Sequence, residues 1–316
     1  MKSGGIGIAL GGGAARGLSH IGVLQVIESR GIPVDVVTGS SMGAIIGAIY
    51  ALEGNADALI KKMESFFESE AFQAAQFDSL RERREEEEGG FLNSMALMLR
   101  RGYKYSLSVT RKSIIEHDVF QMLIEELVPD IGIEELPLPF AAASLDTVSG
   151  REVIWTSGSL RDALWSSSAI PGFFPPLEKD GMVLVDGGWT NAVPVGPARS
   201  LGADKVIAVD ISREVEEIME YKRGISLVLR SAMLTTKHLR ELQLLHADVV
   251  LRPAVGHVHW ADFSDPYDLI QRGKDAALVS LEDIEALART SLLPSSRTLG
   301  GRLRNVLQAR LRRGAK

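Results

Sequence analysis

An α/β domain interrupted by a variable insertion is the fold class that this 316-residue sequence predicts. Three observations predict it. Short apolar runs ending in glycine alternate with helix-length periodic segments. Two of the strand-to-helix turns carry glycine-rich motifs, GGGAARG at Gly11 to Gly17 and GSSMG at Gly39 to Gly43. The rhythm breaks between about Asn55 and Glu116 and returns after Pro137 and Pro139.

In chain order, Ile6 to Leu10 is apolar and stopped by three glycines, which predicts a buried first strand. From Leu18 to Ser29 the apolar residues Leu18, Ile21, Val23, Leu24, Val26 and Ile27 suit a packed helix, ended by Gly31-Ile32-Pro33. Val34 to Thr38 predicts a second buried strand. Ala44 to Leu52 is apolar all round and predicts a buried helix whose small residues permit close backbone approach. The charge run Arg81 to Glu88 reads as a solvated helix or mobile loop. Phe91, Met95, Met98 and Leu99 share one helical face that ends in Arg100, Arg101 and Lys104, which suits a core-packed helix or a membrane-interface surface. Further strands are expected at Phe140 to Leu145, Arg151 to Thr156, Met182 to Val185, Lys205 to Val209 and Asp248 to Leu251. Helices are expected at Ser159 to Ser168 and from about Glu214 to His246. Residues 1–290 are expected to form one catalytic domain, with a cap at about 55–116. Residues 291–316 are expected to form a basic amphipathic helix through Arg302, Arg304, Arg310, Arg312 and Arg313.

Composition narrows the function. Apolar residues are 45% and charged residues 24%, so there is ample surface for a core and no case for global disorder. The net charge of −6 is a poor footprint for nucleic-acid binding. The absence of cysteine excludes disulfides, thiol catalysis and thiolate metal sites. The longest apolar stretch outside the first strand, Met42 to Leu52, is well short of the roughly 20 residues that span a bilayer. The glycine-rich start does not suit a signal-peptide core. A cytoplasmic protein with peripheral contact at a membrane surface is expected.

GSSMG matches G-x-S-x-G and places Ser41 on a sharp turn between a buried strand and an apolar helix. A nucleophilic serine needs that exposure, and the helix N-terminus adds partial positive charge beside a developing oxyanion. The same pattern also serves a plain helix N-cap. GGGAARG presents backbone N–H groups that can hold a phosphate or an oxyanion. It fails as a dinucleotide fingerprint, because Arg16 or Ala14 stands where glycine is needed. It fails as a P-loop, because Leu18 stands where lysine is needed. Asp186 ends the apolar run Val183 to Val185 and is released into Gly187-Gly188, either a sheet-edge carboxylate or a turn-former. A triad in Ser-Asp-His order needs a later histidine, and His238, His246, His257 and His259 are available. His20 reads as a packed helix residue. A positioned, desolvated carboxylate can itself serve as base to a serine.

Five segments in this order resemble the patatin-like phospholipase family, in particular its small bacterial members: Leu10 to Leu24, Gly39 to Ala44, Ser167 to Pro176, Val185 to Val195 and Ala247 to Pro253. The stretch from about Glu64 to Glu116 carries no such likeness. The resemblance implies a three-layer α/β/α fold with a mainly parallel sheet and a helical cap. It implies a Ser-Asp dyad with Ser41 as nucleophile and Asp186 as base. Gly12, Gly13 and Ala14 become the oxyanion-hole amides, and Arg16 steadies the loop or meets a phosphate. Ala14 departs from the family pattern, which has glycine there, so the sign of its φ decides its cost. The resemblance implies an acyl ester or phospholipid substrate, no cofactor and no metal, and no acidic loop suits calcium. Substrate is expected to enter past Phe66 to Tyr105. The alternatives are a Ser-His-Asp esterase of α/β-hydrolase type and a non-catalytic lipid- or partner-binding relative. Oligomeric state is left open.

Overall fold

The computed structural model describes residues 5–77, 113–213 and 224–291. The charge run at Arg81 to Glu88, the amphipathic segment at Phe91 to Lys104, the start of the helix expected from Glu214 and the basic C-terminal stretch lie outside the described residues.

The chain begins with β1 (Gly5–Leu10), a turn of 3-10 helix (Ala14–Leu18) and α1 (Ser19–Ser29). Then come β2 (Val36–Ser40) and α2 (Met42–Glu53), with Ser41 alone between them. Strand β2 therefore runs two residues further than the apolar pattern suggests and delivers Ser41 directly. Residues 55–116, where the cap is expected, contribute α3 (Ala56–Glu68) and α4 (Glu70–Ala74), and α5 (His117–Leu127) follows. Next follow β3 (Phe140–Asp146), β4 (Glu152–Trp155), α6 (Leu160–Ser168), β5 (Leu177–Lys179) and β6 (Met182–Asp186). The chain continues through α7 (Val195–Ser200), β7 (Ala203–Val209), α8 (Gly224–Leu244) and β8 (Val249–Leu251). It closes with α9 (Pro266–Val279) and α10 (Leu281–Ser291).

The strands form one eight-stranded sheet in the order β5-β6-β3-β2-β1-β7-β8, with β4 also on β3. Five strands, β3, β2, β1, β7 and β8, run parallel; β4 and β6 are antiparallel to β3, and β5 to β6. From β1 the chain steps outward one way through β2 and β3, and later the other way through β7 and β8. The carboxyl end of β1 is thus a topological switch point, where open α/β sheets form crevices. Gly11 to Gly13 lie there.

Alternation along β1 splits the core between the two faces. Ile6, Ile8 and Leu10 pack with α1, α2, α9 and α10, whereas Ala9 faces the smaller cluster of Val195 and Ala198 from α7 and Leu244 from α8. The result is the expected three-layer arrangement. Among the described residues no helix is long and apolar enough to cross a membrane.

Strand β3 brings distant segments together. Its edge opposite β4 carries β2 on one stretch and β6 on the next. Ser40 of β2 pairs with Ala143, and Asp186 of β6 pairs with Ser144. Because β2 is parallel to β3 and β6 antiparallel, the two strands meet carboxyl end to carboxyl end.

Candidate active site

Ser41 follows β2 at φ 54° and ψ −127°, outside the ordinary wells of an L-residue. The surroundings hold it there. Its N–H donates to Ser167 Oγ on α6 at 3.0 Å, and its carbonyl accepts from Ala44 and Ile45 in the first turn of α2. The flanking glycines are steric requirements. A Cβ on Gly39 would lie 2.2 Å from the Gly43 carbonyl oxygen, and one on Gly43 would lie 2.2 Å from that of Leu10. Only glycine lets α2 begin this close to β1 and β2.

Ser41 and Asp186 line the same cavity, and the nearby Ser41 side chain favours the ionised form of the Asp186 carboxylate. Asp186 Oδ1 accepts from Gly188 N–H at 2.7 Å, so this aspartate shapes its turn as well as facing the serine. Both residues are 6% exposed. Burial raises the Asp186 pKa from 3.8 to about 6, against the lowering by the neighbouring Ser41 side chain and by the Gly188 N–H. At neutral pH the group is therefore still ionised and more basic than an ordinary aspartate.

The glycine loop divides its amides. Gly11 N–H donates to Val209, Gly12 N–H to Ala192 at 3.1 Å and Ala15 N–H to Trp260. Among the described residues the N–H groups of Gly13 and Ala14 have no such partner. Of the three amides expected from the sequence, Gly12 is already engaged. Arg16 Nε donates to the Gly13 carbonyl at 3.3 Å. In a trans peptide that bond also orients the following Ala14 N–H, which points the opposite way. Ala14 takes φ 48°, the left-handed region, so the cost that alanine carries there relative to glycine is present.

His20 is fully buried on α1, with Nε2 2.8 Å from the Gly11 carbonyl oxygen. Desolvation lowers its pKa to about 4, which keeps it neutral and structural. Its place matches the expectation of a packed helix residue. His238, His246 and His257 are exposed, and no histidine lines either cavity at Ser41. Among the described residues no cluster of three histidine or carboxylate side chains could hold a metal ion.

Two cavities meet at this point. One, of about 600 Å³, is aromatic: Phe66 and Phe72 from the cap, Phe77, Phe120, Phe174 and Phe263 line it. Their rings meet edge-on at 5.4 Å for Phe66–Phe72, tilted at 5.1 Å for Phe77–Phe263 and stacked at 4.6 Å for Phe120–Phe174. The other, of about 1070 Å³, holds Gly12, Gly13, Ser41 and Asp186, with α8 as its far wall. Ala14, Ser41, Ile170 and Trp260 line both. The aromatic chamber was not legible as a unit, because its rings come from four separated stretches of chain. Ser167 lies in a motif read for its likeness alone; only the structure shows it bonded to Ser41.

Against known families, residues 8–199 match the profile of patatin-like phospholipases. The chain belongs to the patatin-like phospholipase family. Patatin-like phospholipase domain-containing protein 6 of Mus musculus is 34% identical over 213 residues, which is 67% of this chain and 14% of that protein. The neuropathy target esterase sws of Drosophila melanogaster is 33% identical over 224 residues, 70% of this chain and 14% of its own length. An uncharacterised NTE family protein of Mycobacterium bovis is 30% identical over 207 residues, 66% of this chain and 49% of its own. This patatin-like chain thus spans from about a seventh to half of the length of these relatives. The solved structure of VipD from Legionella pneumophila superposes on 90% of this chain and 67% of its own at 14% identity, with a TM-score of 0.48.

Proposed function

We propose that this chain is a serine acyl hydrolase that cleaves carboxylic esters of lipids through a Ser41–Asp186 dyad. The observation that carries the reading is the juxtaposition of Ser41 and Asp186 in one cavity, set where β2 and β6 meet and beside two amides that have no backbone partner among the described residues. Asp186 accepts the Ser41 proton as Oγ attacks the ester carbonyl carbon. The carbonyl oxygen becomes an oxyanion, received by the N–H groups of Gly13 and Ala14. Each such donor typically contributes about 3 kcal/mol to lowering the barrier. Collapse breaks the ester C–O bond, and the proton held by Asp186 passes to the departing alkoxide. Asp186 then takes a proton from water, whose oxygen attacks the acyl-enzyme. The free acid leaves and the proton returns to Ser41. The aromatic chamber takes the acyl chain.

Intact mass after treatment with a fluorophosphonate tests the nucleophile. One adduct is expected on the wild type, none on Ser41→Ala, and at least a hundredfold slower labelling on Asp186→Asn. An unlabelled but folded wild type, or labelling of Ser41→Ala, would overturn the assignment. Near-normal ester hydrolysis by Asp186→Asn would remove the dyad.

A further inference from the structure

The two cavities differ in chemistry as well as width. In the aromatic chamber the polar lining side chains are Ser41 and Ser168, apart from the Trp260 indole, so a charged group there would be stripped of water without a partner. Among the described residues the wider cavity is lined by the cations Arg16, Arg213, Lys237 and Arg240, with Asp186 as the carboxylate. On α8, Met233, Thr236, Lys237 and Arg240 face the cavity at i, i+3, i+4 and i+7, a single helical stripe.

Among the described residues, the neighbouring acids do not cancel this charge. Asp210 Oδ2 lies 3.3 Å from Arg240 Nε and 3.8 Å from Arg252 Nε, so one carboxylate serves two guanidiniums. Its Oδ1 accepts from Ser212 N–H. Lys237 faces Glu241 at 3.7 Å, and the Glu241 side chain is 51% exposed. An exposed i,i+4 pair of this kind is weak, so an incoming anion readily displaces it.

We infer that the wider cavity receives the leaving group of the ester and selects those that carry net negative charge, a phosphate monoester being the best match, with Lys237 and Arg240 reading that charge. The inference rests on Ser41 as nucleophile. An ester carbonyl at Ser41 sits at the junction of the cavities. Its acyl chain then extends into the aromatic chamber, and its alcohol moiety extends towards α8.

The test uses three esters with one acyl chain, each below its aggregation threshold: a monoacylglycerol phosphate (anionic), a monoacylglycerophosphocholine (zwitterionic) and a monoacylglycerol (neutral). For the wild type, kcat/KM for the anionic ester is expected to exceed that for the neutral one at least tenfold at low ionic strength. The ratio should shrink as salt screens the cavity. Lys237→Glu should lower it at least tenfold, and Lys237→Arg should restore most of it. Lys61→Glu, the same charge change at an exposed position on α3, should leave it in place. A ratio near one in the wild type, or one unmoved by Lys237→Glu, overturns the inference while hydrolysis of the neutral ester upholds the nucleophile. Inhibition by inorganic phosphate without preference among the esters marks a free-anion site and overturns the leaving-group assignment. A fluorophosphonate adduct with no hydrolysis of any ester overturns the inference as well. Neither adduct nor hydrolysis overturns the nucleophile and the inference together.

Discussion

A serine at φ 54° and ψ −127° stores strain of about 1–3 kcal/mol that the rest of the fold must offset. Ser41→Gly relieves that strain and Ser41→Ala keeps it. The glycine variant is therefore expected to melt at a higher temperature than the alanine variant, with both inactive. Equal melting temperatures would show that the turn is not strained. Asp186 carries a second stored cost. Its pKa of about 6 lies above the ordinary 3.8, so the folded state favours the protonated carboxyl. Below about pH 4 folded and unfolded states are equally protonated, and no cost arises. As pH rises from 4 through 6, the unfolded chain releases the proton first and stability falls by up to ~3 kcal/mol. Asp186→Asn should thus be more stable than the wild type at pH 8 and level with it at pH 4. Activity runs the opposite way: kcat/KM should drop as pH falls through about 6, because the base must be ionised. A flat profile between pH 5 and 8 would contradict this. At this scale much of the site was legible, since Ser41, Asp186 and the glycine loop are local motifs. Which amides stay available was not, because Gly12 is engaged by the carbonyl of Ala192, a residue far along the chain.

The elements that hold these residues divide by how local their cause is. Strands β1, β2, β3, β6 and β7 were legible as short apolar runs, and α1, α2 and α6 as apolar helices. Strand β5 was not: Leu177–Lys179 follows two prolines and has a single apolar residue, too little for any period. The cap was recognised only as a change of pattern. Its helices are amphipathic in the ordinary way, and nothing local says that Phe67 and Phe72 will meet Phe263 rather than another surface. Helices α9 and α10 also went unassigned beforehand, although Gly273 of α9 packs its Cα against the Ser19 carbonyl of α1 so closely that a Cβ would sit 1.8 Å from that oxygen. The aromatic chamber makes an element-scale prediction. Phe72→Ala should reduce kcat/KM for an octanoyl ester at least tenfold while changing that for an acetyl ester less than threefold, as measured with soluble chromogenic esters. Equal losses on both would mean that the acyl chain lies elsewhere.

For the molecule as a whole, alternating apolar runs and helices predicted an α/β domain, and the mainly parallel order follows from strands joined through helices. The same physics puts the glycine loop at the point where the order reverses. What no local pattern holds is the register of β3, since pairing partners are chosen by long-range packing. Yet that register decides the site, for it seats Ser40 and Asp186 opposite the adjacent residues Ala143 and Ser144. In engineering terms β3 is a gauge block, and the gap between the strand ends that carry Ser41 and Asp186 is machined into it as one residue step. A slip of either neighbour by a single residue moves the two ends apart, or together, by about 3.4 Å and turns one side chain to the wrong face. The tolerance of the fit between Ser41 and Asp186 is therefore set by backbone hydrogen bonds in the middle of the sheet, on a strand that contributes neither residue.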